Sequence, residues 1–205
     1  MNQASAVSVM GQCGAFVFTA STEINTSPPI SIPVSGIPLG DVMAGLTTAA
    51  DTARIRYGMS IHSIACFLRD KSADEVMRTL QELGEFSGQI IGIGLDSAEV
   101  GFPPSKFQKV FEIAADMGFR RVAHAGEEGP PEYIWQVLDI LGVERIDHGI
   151  RCVEDDQLIR RLVADQIPLT VCPLSNVRLK CVESLGDLML PKLERSMTMS
   201  PRLFR

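Results

Sequence analysis

Residues 119–149 read FRRVAHAGEEGPPEYIWQVLDILGVERIDHG, and their pattern decides the fold. Arg121–Ala123 forms the core of a short strand. Pro130 and Pro131 open a helix, because a proline in the first helical turn has no amide to leave unbonded. Ile134, Val137, Leu138 and Leu141 then recur at helical spacing, and Gly142 ends the run. Glu144–Ile146 is a second strand. A strand, a helix and a strand within about thirty residues make a βαβ unit, the building block of a parallel sheet.

The same unit repeats to either side. Ile55–Phe67 contains an apolar, β-rich stretch and Ile90–Leu95 a short apolar strand. Between them Ser72 caps a helix, with Glu75 placed to complete the capping box and Val76, Leu80 and Leu83 on its inner face. A second helix, capped by Ser105 and closed by Gly118, turns Phe107, Val110, Phe111 and Ala114 inward. Asp155–Asp165 is a further helix, and Pro168–Val171 a strand closed by Pro173. Strand centres fall near 62, 93, 122, 146 and 170, with a helix in each interval. Such regular alternation predicts an α/β fold. A doubly wound sheet and a closed barrel both satisfy it. No GxGxxG and no GxxxxGK[ST] occurs, so nucleotide folds of those kinds have little support.

The ends of the chain read differently. Gly14–Thr19 is a short apolar run suited to a strand. Ser21–Gly40 is rich in Ser, Thr and Pro, and Pro28, Pro29, Pro33 and Pro38 predict a loop there. Asp41–Ala53 is a helix with Val42, Leu46 and Ala49 along one face. After Leu190 no periodicity remains. The expected organisation is a divergent, poorly ordered segment over 1–40, a partial barrel domain over 41–190 and an atypical tail over 191–205.

Composition narrows the class. The chain has 205 residues, 45% hydrophobic and 21% charged, enough to bury a core. An ordinary eight-stranded (β/α)8 barrel takes about 250 residues. The net charge of −6 argues against a dedicated nucleic-acid binder. No apolar run is long enough to span a bilayer, and Met1–Ala6 lacks the features of a signal peptide. Five cysteines without a CxxC pair read as free thiols. The expected compartment is the cytoplasm, with the nucleus also open.

Chemistry gathers where strands end. Asp96, Ser97 and Glu99 follow one strand; His124, Gly126 and Glu127 the next; Asp147 and His148 the third; Cys172, Ser175 and Asn176 the fourth. In a parallel barrel the carboxyl ends of the strands form the active-site rim. A neutral His124 can bind zinc, and Glu127 can protonate a heteroaromatic nitrogen if burial raises its pKa. The plainer alternative makes His124 a buried histidine bonded to backbone. His148 can orient or deprotonate a metal-bound water. Asp147, its strand neighbour, points the opposite way and is free to serve other loops. His62 reads as a core or supporting histidine, Arg69 and Asp70 as surface residues, Cys172 as packing, and Ser175 and Asn176 as turn formers for which a site role is open.

Three motifs, His124–Glu128 (HAGEE), Asp147–Gly149 (DHG) and Cys172–Asn176 (CPLSN), resemble in order and spacing the adenosine/adenine deaminase family of metal-dependent amidohydrolases. GIGLDSAEVGFPPSKF and RIDHG resemble its fungal and bacterial adenine deaminase branch. The resemblance implies a (β/α)8 barrel, zinc, and hydrolysis of adenine to hypoxanthine and ammonia in purine salvage, with adenosine as the alternative substrate. It implies His124 as a metal ligand, Glu127 as the acid that protonates N1, and His148 as the group that activates water. Asp96, Ser97, Glu99 and Gly126 are implied as substrate-lining residues. The family's His-x-His pair and distal aspartates have no counterpart in this sequence, leaving one of the four expected protein ligands. The expectation is therefore an incomplete barrel lacking the first and last strands. Alone, it would be catalytically inactive, at most a binding module, and its open sheet edges would favour self-association. The partners expected are a small purine, with neither nucleic acid nor membrane.

Overall fold

The computed structural model describes residues 29–31, 38–59 and 61–188. Six strands, β1 (Pro29–Ser31), β2 (Ser63–Leu68), β3 (Ile90–Asp96), β4 (Arg120–Ala125), β5 (Arg145–His148) and β6 (Leu169–Thr170), form one sheet in chain order. Every pairing is parallel. Helices α1 (Leu39–Tyr57), α2 (Ala73–Leu83), α3 (Gln108–Asp116), α4 (Pro131–Asp139) and α5 (Asp156–Ala164) fill the intervals, and α6 (Pro173–Arg178) follows β6. A strand order with no reversal, joined by right-handed crossovers, places the crossover helices α1 to α5 on one face. That is the wall of a barrel, and it removes the doubly wound alternative.

The alternation of side chains along the middle of β2, β3 and β4 confirms the single winding. Ala65, Phe67, Ile93, Leu95, Ala123, Ala125, Ile146 and Leu169 join the helices in one large apolar core. Ile64, Cys66 and Val122, the intervening residues, form a separate small cluster on the inner face. Gly92 and Gly94 lie on β3 between these neighbours. A Cβ at Gly94 would come within 2.2 Å of the Cys66 sulfur, and one at Gly92 within 2.7 Å of the Arg120 carbonyl oxygen. The inner wall is thus packed tightly enough along the middle of β3 that only glycine fits between Ile91, which packs against the small cluster, and Asp96 at the strand end.

Local signals set most boundaries. Ser72 and Glu75 form the full capping box of α2, which buries Val76, Leu80 and Leu83. Phe107, Val110, Phe111 and Ala114 are buried as the α3 pattern predicts, but Ser105 is not the cap. It lies in a single 3₁₀ turn, Pro104–Phe107, and its backbone amide is held instead by the Gln136 side chain. Asp155 caps α5 through the amides of Gln157 and Leu158.

Two expectations near the start need correction. The proline-rich segment read as loop contains β1, paired with β2 through Pro29, Ile30 and Ser31. Proline is tolerated as the first residue of a short strand at the rim of a sheet, so four prolines did not exclude pairing. Helix α1 runs from Leu39 to Tyr57 and buries Met43 and Leu46 rather than Val42, Leu46 and Ala49. Ile55 is helical and exposed, and Gly58, at a φ of 65°, stops the helix before β2 begins. The Gly14–Thr19 run and the chain after Leu188 lie outside the described residues.

Gly94→Ala is expected to destabilise the fold by about 1–3 kcal/mol through overpacking against Cys66. Adding Cys66→Ala should recover a large part of that loss, as read in urea unfolding of the single and double variants. Ser72→Ala should cost about 1 kcal/mol by the same measurement.

Candidate active site at the strand ends

His124 lies on the inner face of β4, opposite Asp147 on β5. His148 is paired with Ala125, whose side chain enters the helix-facing core. Regular strand geometry would send His148 the same way. Instead its φ is 68°, and Gly149 follows at 68°. A left-handed conformation at a non-glycine residue costs on the order of 1 kcal/mol. It turns the imidazole back over the strand ends, where its ring centre lies 4.8 Å from that of His124, edge to face.

Glu127 reaches the same place from the turn after β4. Its Oε1 is 3.1 Å from His148 Nδ1. Ligand atoms of His124, Glu127 and His148 all lie within 4.8 Å of one another. Asn176, within α6 and with no solvent exposure, closes the group. Its Nδ2 donates to Glu127 Oε1 at 2.9 Å and lies 3.2 Å from His148 Nδ1.

The surroundings push these groups in opposite directions. Burial raises the Glu127 pKa to about 7, helped by the charges of Glu99 and Glu128. Burial also lowers His148 to about 3, helped by His124, and lowers His124 itself. Near neutral pH the site therefore holds a carboxyl group poised to give up or keep a proton beside two uncharged imidazoles. Two nitrogen lone pairs and one carboxyl oxygen this close are a donor set of the type that holds a divalent metal. The residues present fit such an ion in kind.

Other strand-end residues serve these. Asp147 makes a two-pronged ion pair with Arg145, at 3.0 and 3.2 Å. Burial works against its charge, but the Arg145 guanidinium outweighs that and holds its pKa below the usual value. Asp96 ends β3 buried on the inner face, and Ser97 adopts a φ of 75° just beyond it. Gly126, at a φ of 70°, forms the turn to Glu127 and has no room for a Cβ against Ile134. The carboxylate of Glu99 accepts hydrogen bonds from the amides of Gly126, Glu127 and Gly129.

Arg69 corrects the sequence reading. It was expected at the surface and is 0% exposed, at the carboxyl end of β2. Its guanidinium donates to the carbonyl oxygens of His124 and Phe102. The signal was available: Arg69 directly follows the apolar run SIACFL, the same strand-end position that marked His124 and Asp96. Asn176 carried a weaker signal, because its role depends on α6 folding back over β4 and β5. His62 is only half-buried and precedes β2, so it lies at the opposite end of the strand from the cluster and not in the core. Cys172 is half-buried, and burial raises its thiol to about 11, as suits a packing residue.

Comparison with known proteins fits this constellation. The family-wide sequence profile for adenosine deaminase matches residues 19–200. The chain belongs to the adenosine deaminase family. It is 56% identical over 158 residues to an adenine deaminase of Streptomyces coelicolor, covering 77% of this chain and 46% of that protein. A Hahella chejuensis adenine deaminase is 54% identical, with 74% and 46% covered. The crystal structure of adenine deaminase from Arthrobacter aurescens superposes with a TM-score of 0.75 at 53% identity, over 78% of this chain and 49% of that one. A zinc-bound amidohydrolase from Burkholderia ambifaria does so at 0.74 and 30% identity, over 80% and 46%. The chain thus spans about half the length of the relatives it matches. No helix among the described residues is long and apolar enough to cross a membrane.

The opposed pKa shifts predict how metal-free protein responds to pH. Glu127 has a raised folded pKa. Its contribution is complete below its unfolded value near 4.5 and is lost as pH rises towards 7. His148 acts in reverse: stability falls as pH drops from about 6.5 towards 3. In EDTA-treated samples the stability of wild type relative to Glu127→Gln should decline by roughly 2–3 kcal/mol between pH 4.5 and 7. Chemical denaturation at a series of pH values reads this difference.

Proposed function

We propose that the protein hydrolytically deaminates adenine to hypoxanthine and ammonia, as part of purine salvage in the cytoplasm. The observation that carries the reading is the Glu127–His148 contact of 3.1 Å beside His124, with the carboxyl pKa near 7 and the imidazoles neutral. Relatives named adenine deaminase at 47–56% identity support the substrate.

Each residue then has a task. Glu127, protonated near neutral pH, donates its proton to a ring nitrogen of the purine. The adjacent carbon, which bears the amino group, becomes electrophilic and open to water. His148 accepts the proton that the attacking water releases. His148 passes that proton to the amino group, which leaves the tetrahedral carbon as ammonia, and the hydroxyl proton returns to Glu127 as the carbonyl of hypoxanthine forms. Asn176 holds Glu127 facing His148. Asp96, Ser97 and Gly126 line the rim where the flat ring would sit. Zinc is the ion this reading assigns to the site, with His124 as its ligand from this chain. When bound, it would supply Lewis-acid activation of the attacking water. Pocket shape around the purine, rather than the ion, would favour the base over the nucleoside.

The test is an ultraviolet assay of the purified chain, supplied with zinc, against adenine and adenosine, with bound metal measured in the same sample. Adenine turnover that falls at least about a hundredfold in Glu127→Gln is the expected outcome. Turnover of adenosine in preference would overturn the substrate assignment. Turnover indifferent to Glu127→Gln would overturn the acid. Absence of both turnover and stoichiometric metal would make this chain a catalytically silent member of the family.

A further inference from the structure

The segment His124–Gly129 carries two of the three clustered donor groups, and it is gripped at its main chain from two sides. On one side is Glu99. Its Oε2 accepts from the amides of Gly126 at 3.1 Å and Gly129 at 2.6 Å, and its Oε1 from Glu127 at 3.3 Å. On the other is Arg69, which donates to the His124 carbonyl oxygen and to Phe102. Arg69 is itself held: its amide donates to the Asp96 carbonyl oxygen at 3.1 Å, and its own carbonyl accepts from Lys106 Nζ at 2.9 Å.

The grip suits the chemistry of the turn. Three amide groups converging on one point form an anion-binding concavity, and a carboxylate fills it from within the protein. The turn is built around that group, since a Cβ at Gly129 would fall 2.6 Å from Glu99 Oε2. Glu99 is 2% exposed, and both of its oxygens already accept from main chain. No edge of a purine could reach a carboxylate so enclosed without displacing the turn that presents Glu127.

We propose that Glu99 is a positioning residue and not a ring contact. It fixes the turn that aims Glu127 at the substrate, and Arg69 anchors the same segment at the His124 carbonyl. The significance of this role rests on the proposed deamination, but its test does not.

The test uses nuclear magnetic resonance on the full, isotope-labelled, metal-free chain. Couplings across the hydrogen bonds from the Gly126 and Gly129 amide nitrogens to the Glu99 carboxyl carbon are expected in the wild type. Added adenine should leave them in place. In Glu99→Gln, one oxygen becomes a donor that opposes an amide. The Gly126, Glu127 and Gly129 amides should move upfield and exchange on the order of tenfold faster or more, while the α2 amides stay unchanged. In Arg69→Lys the His124 carbonyl carbon should shift while the Glu99 couplings persist. Absent couplings in wild type, couplings lost on adding adenine, or unmoved amides in a folded Glu99→Gln would each overturn the proposal. Where the chain turns over adenine, Glu99→Gln should lower kcat with KM nearly constant; a raised KM at constant kcat would restore the ring contact. A chain that deaminates nothing still decides the positioning role through the couplings, which need neither metal, variant nor turnover.

Discussion

Parallel strands laid down in chain order must all end at the same rim, and the site depends on that constraint. Helices seal one face of the sheet, so alternate residues are committed to the core. The remaining positions point to the inner wall, where close packing leaves no room for a Cβ at Gly92 or Gly94 of β3. Polar side chains find room at the carboxyl ends. Arg69, Asp96, His124, Asp147 and His148 gather there from β2, β3, β4 and β5, though they are spread over some eighty residues of sequence. No single motif builds the site; neighbouring strands bring its parts together.

Burial then differentiates the groups. Removing water disfavours charge on every ionisable side chain, so it raises a carboxyl group and lowers an imidazole. Glu127 and His148 share one environment and are driven apart by it, to about 7 and about 3. Glu127 becomes an acid that can hold its proton at neutral pH, and His148 an uncharged imidazole. Asp147 shows the limit of the rule. It is equally buried but keeps its charge, because Arg145 lies against both of its oxygens. Compensation by a near cation, rather than depth alone, decides which carboxyl group stays ionised.

Backbone conformation completes the arrangement. His148 leaves the regular strand through a left-handed residue, and Gly126 opens the turn to Glu127 in the same way. The departure at His148 carries a conformational cost that local sequence does not repay, whereas Gly126 turns without a Cβ to clash. Contacts from elsewhere hold them. The Gly149 amide donates to the Ala125 carbonyl and the Arg151 amide to that of Gly126, tying the two strand ends to each other. The Glu99 carboxylate and the Arg69 guanidinium hold the turn from neighbouring loops.

The sequence by itself determined the βαβ rhythm, the buried faces of α2 to α4 and the strand-end positions of His124, Glu127 and His148. Hydrophobic periodicity and capping are local, so each is written in a few consecutive residues: Ser72 with Glu75, Pro131 with Gly142. Only the tertiary structure decided that Arg69 is buried, that Asn176 joins Glu127 to His148, that Glu99 faces main-chain amides and that Pro29–Ser31 pairs as a strand. Each of these depends on a partner tens of residues away, and a side chain's environment is set by the neighbours that folding brings to it. A strand-end arginine looks the same in sequence whether water or the carbonyl of His124 receives its protons. The parallel alignment of β2, β3 and β4 in one sheet made that choice.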